Sequence, residues 1–314
     1  MQEVKVRVLS WAPNDLKRAP RLGAFLMPAA VSLDACCHTG QKTRAPTRKP
    51  DMIRSALMNV MTAAALKAGR GLKRDFGEVE NLQVSQKGPG DFVSLADKRS
   101  EKTLFEELSK ARPGYSFIME EEGIIEGPDK SHTWHIDPLD GTTNFLHGLP
   151  HFAISVALER EGHMVAGLVY NPATDDMFVA EKGQGAFHNN RRLRVSARRD
   201  MAEALIAAST PHLGRASDHP RHKADMAHVM ARVTSIRCLG SAAVDLAYVA
   251  AGRCDAFWAR GLKSWDIAAG LILVKEAGGY VTGIDGKADP MVTGSICAGN
   301  EYIQTHLVDL LSRP

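Results

Sequence analysis

The stretch "WHIDPLDGTTNFLHGLP", Trp134 to Pro150, sets two aspartates three residues apart across a proline and follows them with Gly-Thr-Thr. Two carboxylates at that range repel, and burial strengthens the repulsion. A cation between them is the natural complement. Pro138 fixes φ and keeps the pair out of a helix, so Asp137 and Asp140 can turn toward one point. Gly141-Thr142-Thr143 then reads as a helix start, where free N–H groups and a residue without a side chain make a seat for phosphate. A metal on one side and the helix start on the other would clamp a phosphoryl group, and the Thr142 hydroxyl could hydrogen-bond an attacking water.

Further acids fall at comparable places. Asp97 stands between a predicted strand and a predicted helix, Glu120, Glu121 and Glu122 follow the strand "YSFIM", and Asp266 opens the helix "DIAAGLILV". Ligands of α/β proteins collect at strand ends and helix starts. An all-oxygen donor set suits a hard cation, Mg²⁺ above all, rather than zinc. Taken singly, Asp137–Asp140 reads as a capping turn, and Asp97 and Asp266 as helix caps; together they read as a site. His147 and His151 are four residues apart, but Gly148 and Pro150 break the helix that a zinc pair would need, so they read as loop histidines. Trp265 reads as packing.

The elements that must position these groups follow from periodicity. Apolar residues from Ile53 to about Leu72 recur at helical spacing, ending near Gly69–Gly71. "DKRSEKTLFEELSKARPG" predicts a second helix, stopped by Arg112-Pro113-Gly114. "HTWHID", "FAISVALERE", "MVAGLVYNPATDDMFVAEKG" and "GAFHNNRRLRVS" predict strands joined by Gly/Asn turns. Past residue 200, "EALIAAST" and "TSIRCLG" read as strands, "SAAVDLAYVAAG" and "DIAAGLILVKEAGG" as helices. This is an α/β mixture in two halves with a seam near 195–205.

Composition bounds the rest. The 314 residues are 44% hydrophobic and 24% charged, as in ordinary globular chains, and no apolar run is long enough to span a bilayer. The net charge of +3 is too small to argue for nucleic acid, and it is unevenly placed: residues 1–50 carry nine basic residues against three acidic ones. That front segment, 1–51, reads as a basic disordered extension rather than a secretory leader or transit peptide, with Met52 opening the fold. The five cysteines (36, 37, 238, 254, 297) form neither a disulfide framework nor a zinc pattern and point to the cytoplasm. "RRLRVSARR" (191–199) is arginine-rich but has no aromatic partners, so nucleic acid is disfavoured and a solvated strand is expected.

"DPLDGTTNFLHG", with "MEEEG" upstream and "WDIAAGLILVKEAGG" downstream, resembles the inositol monophosphatase family of Mg²⁺-dependent, lithium-sensitive phosphomonoesterases; "GPGDFVSLADKRSE" and "RCLGSAAVDLAYVAAGRCDAFW" resemble its bacterial branch. The resemblance implies an α+β fold, a layered α-β-α-β-α sandwich of the type shared with fructose-1,6-bisphosphatase, over residues 52–314 with halves 52–197 and 198–314. It implies a homodimer and two to three Mg²⁺ ions. Glu120, Asp137 and the Leu139 carbonyl would hold the first ion, and Asp137, Asp140 and Asp266 the second. A weaker third would again use Glu120. Gly141 and Thr142 would seat phosphate, and Thr142 paired with Asp97 would orient the water. Asp140, Ser241, Ala242, Ala259 and Asp266 would line the substrate. Met119, Ser264 and Ala259 depart from the pattern. Three successive glutamates leave the register open between Glu120 and Glu121. Ala259 stands where the family commonly has a glutamate that holds a substrate hydroxyl. The expected reaction is hydrolysis of a polyol or sugar phosphate, inositol 1-phosphate foremost, with fructose 1,6-bisphosphate, histidinol phosphate and 3′-phosphonucleotides as alternatives. A weakly catalytic member that binds RNA or protein is the remaining alternative.

Overall fold

The computed structural model describes residues 55–76, 78, 84–88 and 91–313. The extension expected over 1–51 lies outside them. Helix α1 (Ala56–Phe76) is capped by Ser55, whose Oγ accepts the Met58 N–H at 3.0 Å. It runs past the predicted stop at Gly69–Gly71. A side chain at Gly69 would bring a Cβ to 2.5 Å from the Tyr170 ring, so this glycine serves close approach rather than termination. A hairpin, β1 (Val84–Gly88) and β2 (Asp91–Ser94), leads into α2 (Leu95–Ala111), which ends where the sequence predicts.

The large sheet contains β3 (Tyr115–Met119), β4 (Gly123–Ile125), β5 (Asp129–Asp140), β6 (Ala153–Arg160), β7 (His163–Asn171), β8 (Asp176–Glu181), β9 (Gly185–His188) and β10 (Arg191–Arg192), in the order 10-9-8-7-6-5-3-4. Only β3 and β5 pair in parallel within it. Between β5 and β6 lies the short helix α3 (Thr142–Leu146). The arginine-rich segment makes just two residues of strand. Leu193 N–H still meets the Ala186 carbonyl at 2.8 Å, and beyond it the chain leaves the ladder: Ser196 Oγ donates to buried Asp255 at 2.5 Å, and Arg198 pairs with the same carboxylate at 3.2 Å. A second sheet holds β11 (Leu205–Ala208), β12 (Ser235–Arg237), β13 (Ala256–Ala259), β14 (Tyr280–Thr282) and β15 (Ile296–Gly299), in the order 12-11-13-15-14. Around it run α4 (His219–Met230), α5 (Ala242–Ala250), α6 (Ser264–Glu276), α7 (Pro290–Thr293) and α8 (Glu301–Leu311).

Strand alternation sorts the core into three clusters. Ile154, Val156 and Leu158 of β6 face α1 and α2, while Ala153 and Ala157 face α5 and α6. Phe257 and Ala259 of β13 join that same α5/α6 cluster, and Ala256 and Trp258 turn the other way, toward α4 and α8. The layers therefore run α1/α2, large sheet, α5/α6, small sheet, α4/α8. This is the α-β-α-β-α sandwich expected. Because both faces of β6 are covered, its sequence reads as a continuous apolar run.

Candidate active site

Strand β5 solves the geometry of the paired aspartates. Residues three apart on a regular strand point to opposite faces. Here Asp137 pairs with Ser155 and Asp140 with Ala153, so β5 carries one residue more than β6 between them. That bulge re-aims the side chains so that both can serve one site, and it takes up Pro138, which has no N–H for a ladder. The Pro138 carbonyl accepts from Ser100 Oγ at 2.9 Å.

Each of the three aspartates has one oxygen held by the chain's own N–H groups. Asp137 Oδ1 accepts from Leu139 at 2.9 Å, Asp140 Oδ2 from Ala243 at 2.7 Å and from Ser241 Oγ at 2.6 Å, and Asp266 Oδ2 from Lys263 at 2.7 Å. Burial raises all three carboxyls above the ordinary range, Asp137 strongly, Asp140 to about 6 and Asp266 to about 8. Repulsion adds to burial: Glu120, Asp140 and Asp266 act on Asp137, and Asp140 and Glu120 act on Asp266. Among the described residues no three acids, histidines or cysteines already stand around one point at ligating distance. The set is nonetheless one electrostatic unit, all oxygen and short of positive charge, and it fits a hard divalent cation. Glu120 acts on Asp137 and Asp266, whereas Glu121 and Glu122 act on Glu101 of α2.

Asp97 sits at the third position of α2 and is fully buried. Its Oδ2 accepts from Ser94 N–H at 2.9 Å and Ser94 Oγ at 2.5 Å, closing a capping box. Its Oδ1 faces Thr142, whose Oγ1 lies 3.0 Å away and 3.1 Å from the Leu139 carbonyl. Thr142 has one hydrogen to give, so these are alternatives. Gly141 has φ +93°, and a Cβ there would lie 3.1 Å from the His151 carbonyl and 3.2 Å from that of Gly240. Only glycine fits both demands.

The remaining expected contacts look different. Ser241 and Ala242 are buried at 1% and 5% exposure, and the Ser241 hydroxyl holds Asp140. Ala259, 1% exposed in the α5/α6 core, presents no surface to a substrate ring. Ser264 Oγ faces His135 Nδ1 at 3.1 Å; His135 Nε2 lies 2.9 Å from Glu159. Three groups escaped the sequence reading. Asn144 Nδ2 donates to the carbonyls of His151 and Leu239, each at 2.7 Å. His151, read as a loop residue, lies 3.3 Å from buried Asp245. Glu101 accepts the N–H groups of Glu121 and Glu122, both at 2.9 Å. Only the buried helical position of Glu101 could have signalled it.

A five-layer sandwich that gathers buried acids beside a Thr–Asp pair defines a phosphoric monoester hydrolase. A model of the inositol monophosphatase family matches residues 54–313, and the chain belongs to that family. An inositol-1-monophosphatase of Mesorhizobium japonicum is 59% identical over 263 residues, 84% of this chain and 98% of that protein. The solved structure of the extragenic suppressor protein suhB from Bartonella henselae has a TM-score of 0.80 and 55% identity, covering 82% of this chain and 99% of that one. Nus factor SuhB of Escherichia coli strain K12 is 40% identical over 251 residues, 79% of this chain and 92% of that protein.

Proposed function

We propose that the chain is a Mg²⁺-dependent inositol-1-phosphatase, cytoplasmic and homodimeric. The observation that carries the metal is the set of Glu120, Asp137, Asp140 and Asp266, with Asp137 buried and the others half-buried, whose repulsion calls for a cation. The relatives named inositol-1-monophosphatase support the substrate. The Leu139 carbonyl completes the donors. Bound Mg²⁺ would lower the pKa of water toward neutrality and offset charge on the phosphoryl oxygens. The chain's own groups do the rest. Gly141 and Thr142 N–H groups hold phosphate. Asp97 takes the Thr142 hydroxyl hydrogen, which leaves the Thr142 oxygen to accept from the attacking water and aim it. Ser241 and the Ala243 N–H keep Asp140 in place. With alanine at 259, inositol is recognised without the carboxylate common in the family. Two of the five arginines in 191–199, Arg198 and Arg199, are engaged within the chain, on Asp255 and over the Tyr302 ring, which weighs against the surface-binding alternative.

Phosphate release from inositol 1-phosphate, fructose 1,6-bisphosphate, histidinol phosphate and a 3′-phosphonucleotide, with Mg²⁺ and with EDTA, tests the proposal. Inositol 1-phosphate should be preferred, EDTA should abolish turnover, and Asp137→Asn should lower it by more than about 100-fold, beyond what loss of an outer partner costs. Equal turnover in EDTA would sink the metal mechanism.

A further inference from the structure

We infer that Glu101 is a positioning residue for Glu120, and through it for the cation; this rests on the metal reading above. Glu101 is 1% exposed on α2, and its two oxygens each take one of two successive backbone N–H groups, Oε2 from Glu121 and Oε1 from Glu122. On the other side, the Glu120 N–H donates to the Ile136 carbonyl at 3.3 Å and prolongs the β3–β5 ladder. The acidic turn is thus pinned at both ends, one end by strand β5 and the other by a carboxylate from a helix.

The geometry shows what the clamp fixes. The Glu121 N–H lies in the rigid peptide plane that follows Glu120. Holding that plane sets ψ of Glu120 and hence the direction of its Cα–Cβ bond. Packing alone does not require an acid here. Leu104 and Leu108 fill the same buried face of α2, and an ionised group without hydrogen-bond partners would be costly in such a place. The two N–H bonds offset part of the rise that burial imposes on this carboxyl, while the charges of Glu121 and Glu122 add to the rise. A glutamine at 101 would keep one acceptor and turn an NH₂ group against the other N–H, donor against donor. The turn would lose one of its two holds.

Mn²⁺ binding without substrate, read from the electron paramagnetic resonance signal of free Mn²⁺, tests this on the full chain, together with the Mg²⁺ dependence of phosphate release. Glu101→Gln should weaken Mn²⁺ binding and raise the half-saturating Mg²⁺ concentration by about 10- to 100-fold, the scale on which outer partners of metal ligands act. KM at saturating Mg²⁺ should stay within about threefold. Glu101→Asp, which keeps the charge but reaches less far, should fall between. A folded Glu101→Gln chain with unchanged Mn²⁺ binding overturns the inference. So does failure of both variants to fold, which would assign Glu101 to the stability of the fold. If the unaltered chain binds no Mn²⁺ and ignores Mg²⁺, the metal reading itself fails and this inference goes with it.

Discussion

Single residues here carry two duties at once. Asp97 closes the capping box of α2 with one oxygen and meets Thr142 with the other; Asp266 accepts the N–H of Lys263 while it faces the acid set. The helix-cap reading and the site reading were therefore never exclusive, and a carboxylate has lone pairs enough for both. The cost is electrostatic. Asp140 and Asp266 rise to about 6 and about 8 from an ordinary 3.8. A carboxyl raised by folding keeps its proton in the native chain after the unfolded chain has lost it. Its contribution to stability is full below the unfolded value and is lost as pH climbs to the folded one. In chelator, the melting temperature should thus fall between about pH 5 and about pH 8. Mg²⁺ would bind the deprotonated set, so the gain in melting temperature on adding Mg²⁺ should grow over the same window. Thermal scans with and without Mg²⁺ at each pH decide it, and a gain that shrinks as pH rises contradicts the assignment.

Elements were legible where pattern was strong and local. The helix α2, the strand "YSFIM" and the helices α5 and α6 follow from apolar spacing. The five layers were expected from the family motifs. The β5 bulge was not visible, because a register shift depends on the partner strand and leaves no mark on its own sequence. Helix α4 escaped because "HPRHKADMAHVM" is mostly polar and only Asp225 and Val229 are buried on it. The end of α1 was misplaced because Gly69 signals a helix stop locally and a close contact globally. That contact can be tested. Gly69→Ala adds a good helix former, yet its Cβ would meet Tyr170 at 2.5 Å and the Pro172 side chain at 3.3 Å. Overpacking of this kind costs about 1–3 kcal/mol, more than the roughly 1 kcal/mol of helix propensity gained. Denaturant unfolding should show a net loss of stability; a stabilised variant would mean that Tyr170 moves aside freely.

At the scale of the whole molecule, residues 50–314 make one compact unit, and the family match begins at residue 54. No helix among the described residues is long and apolar enough to cross a membrane. Since Ser55 already caps α1, a chain beginning at Met52 has what its first helix needs. It should melt within about 2 °C of the full chain, equivalent to about 1 kcal/mol, and turn over substrate at the same rate. A drop of several degrees would assign the first residues a structural part. The layering has a further consequence, in time rather than in space. Strands β5 to β9 form a meander in which each strand pairs with its sequence neighbour, the kind of local pairing that closes early. Asp266 belongs to α6 and reaches that meander only after the intervening small-sheet strands β11 to β13 have been made. During synthesis the site therefore cannot close before α6 has been made, well after the large sheet, and closing it brings one more acid into an already repelling group. The large sheet can thus be complete before the acid set is.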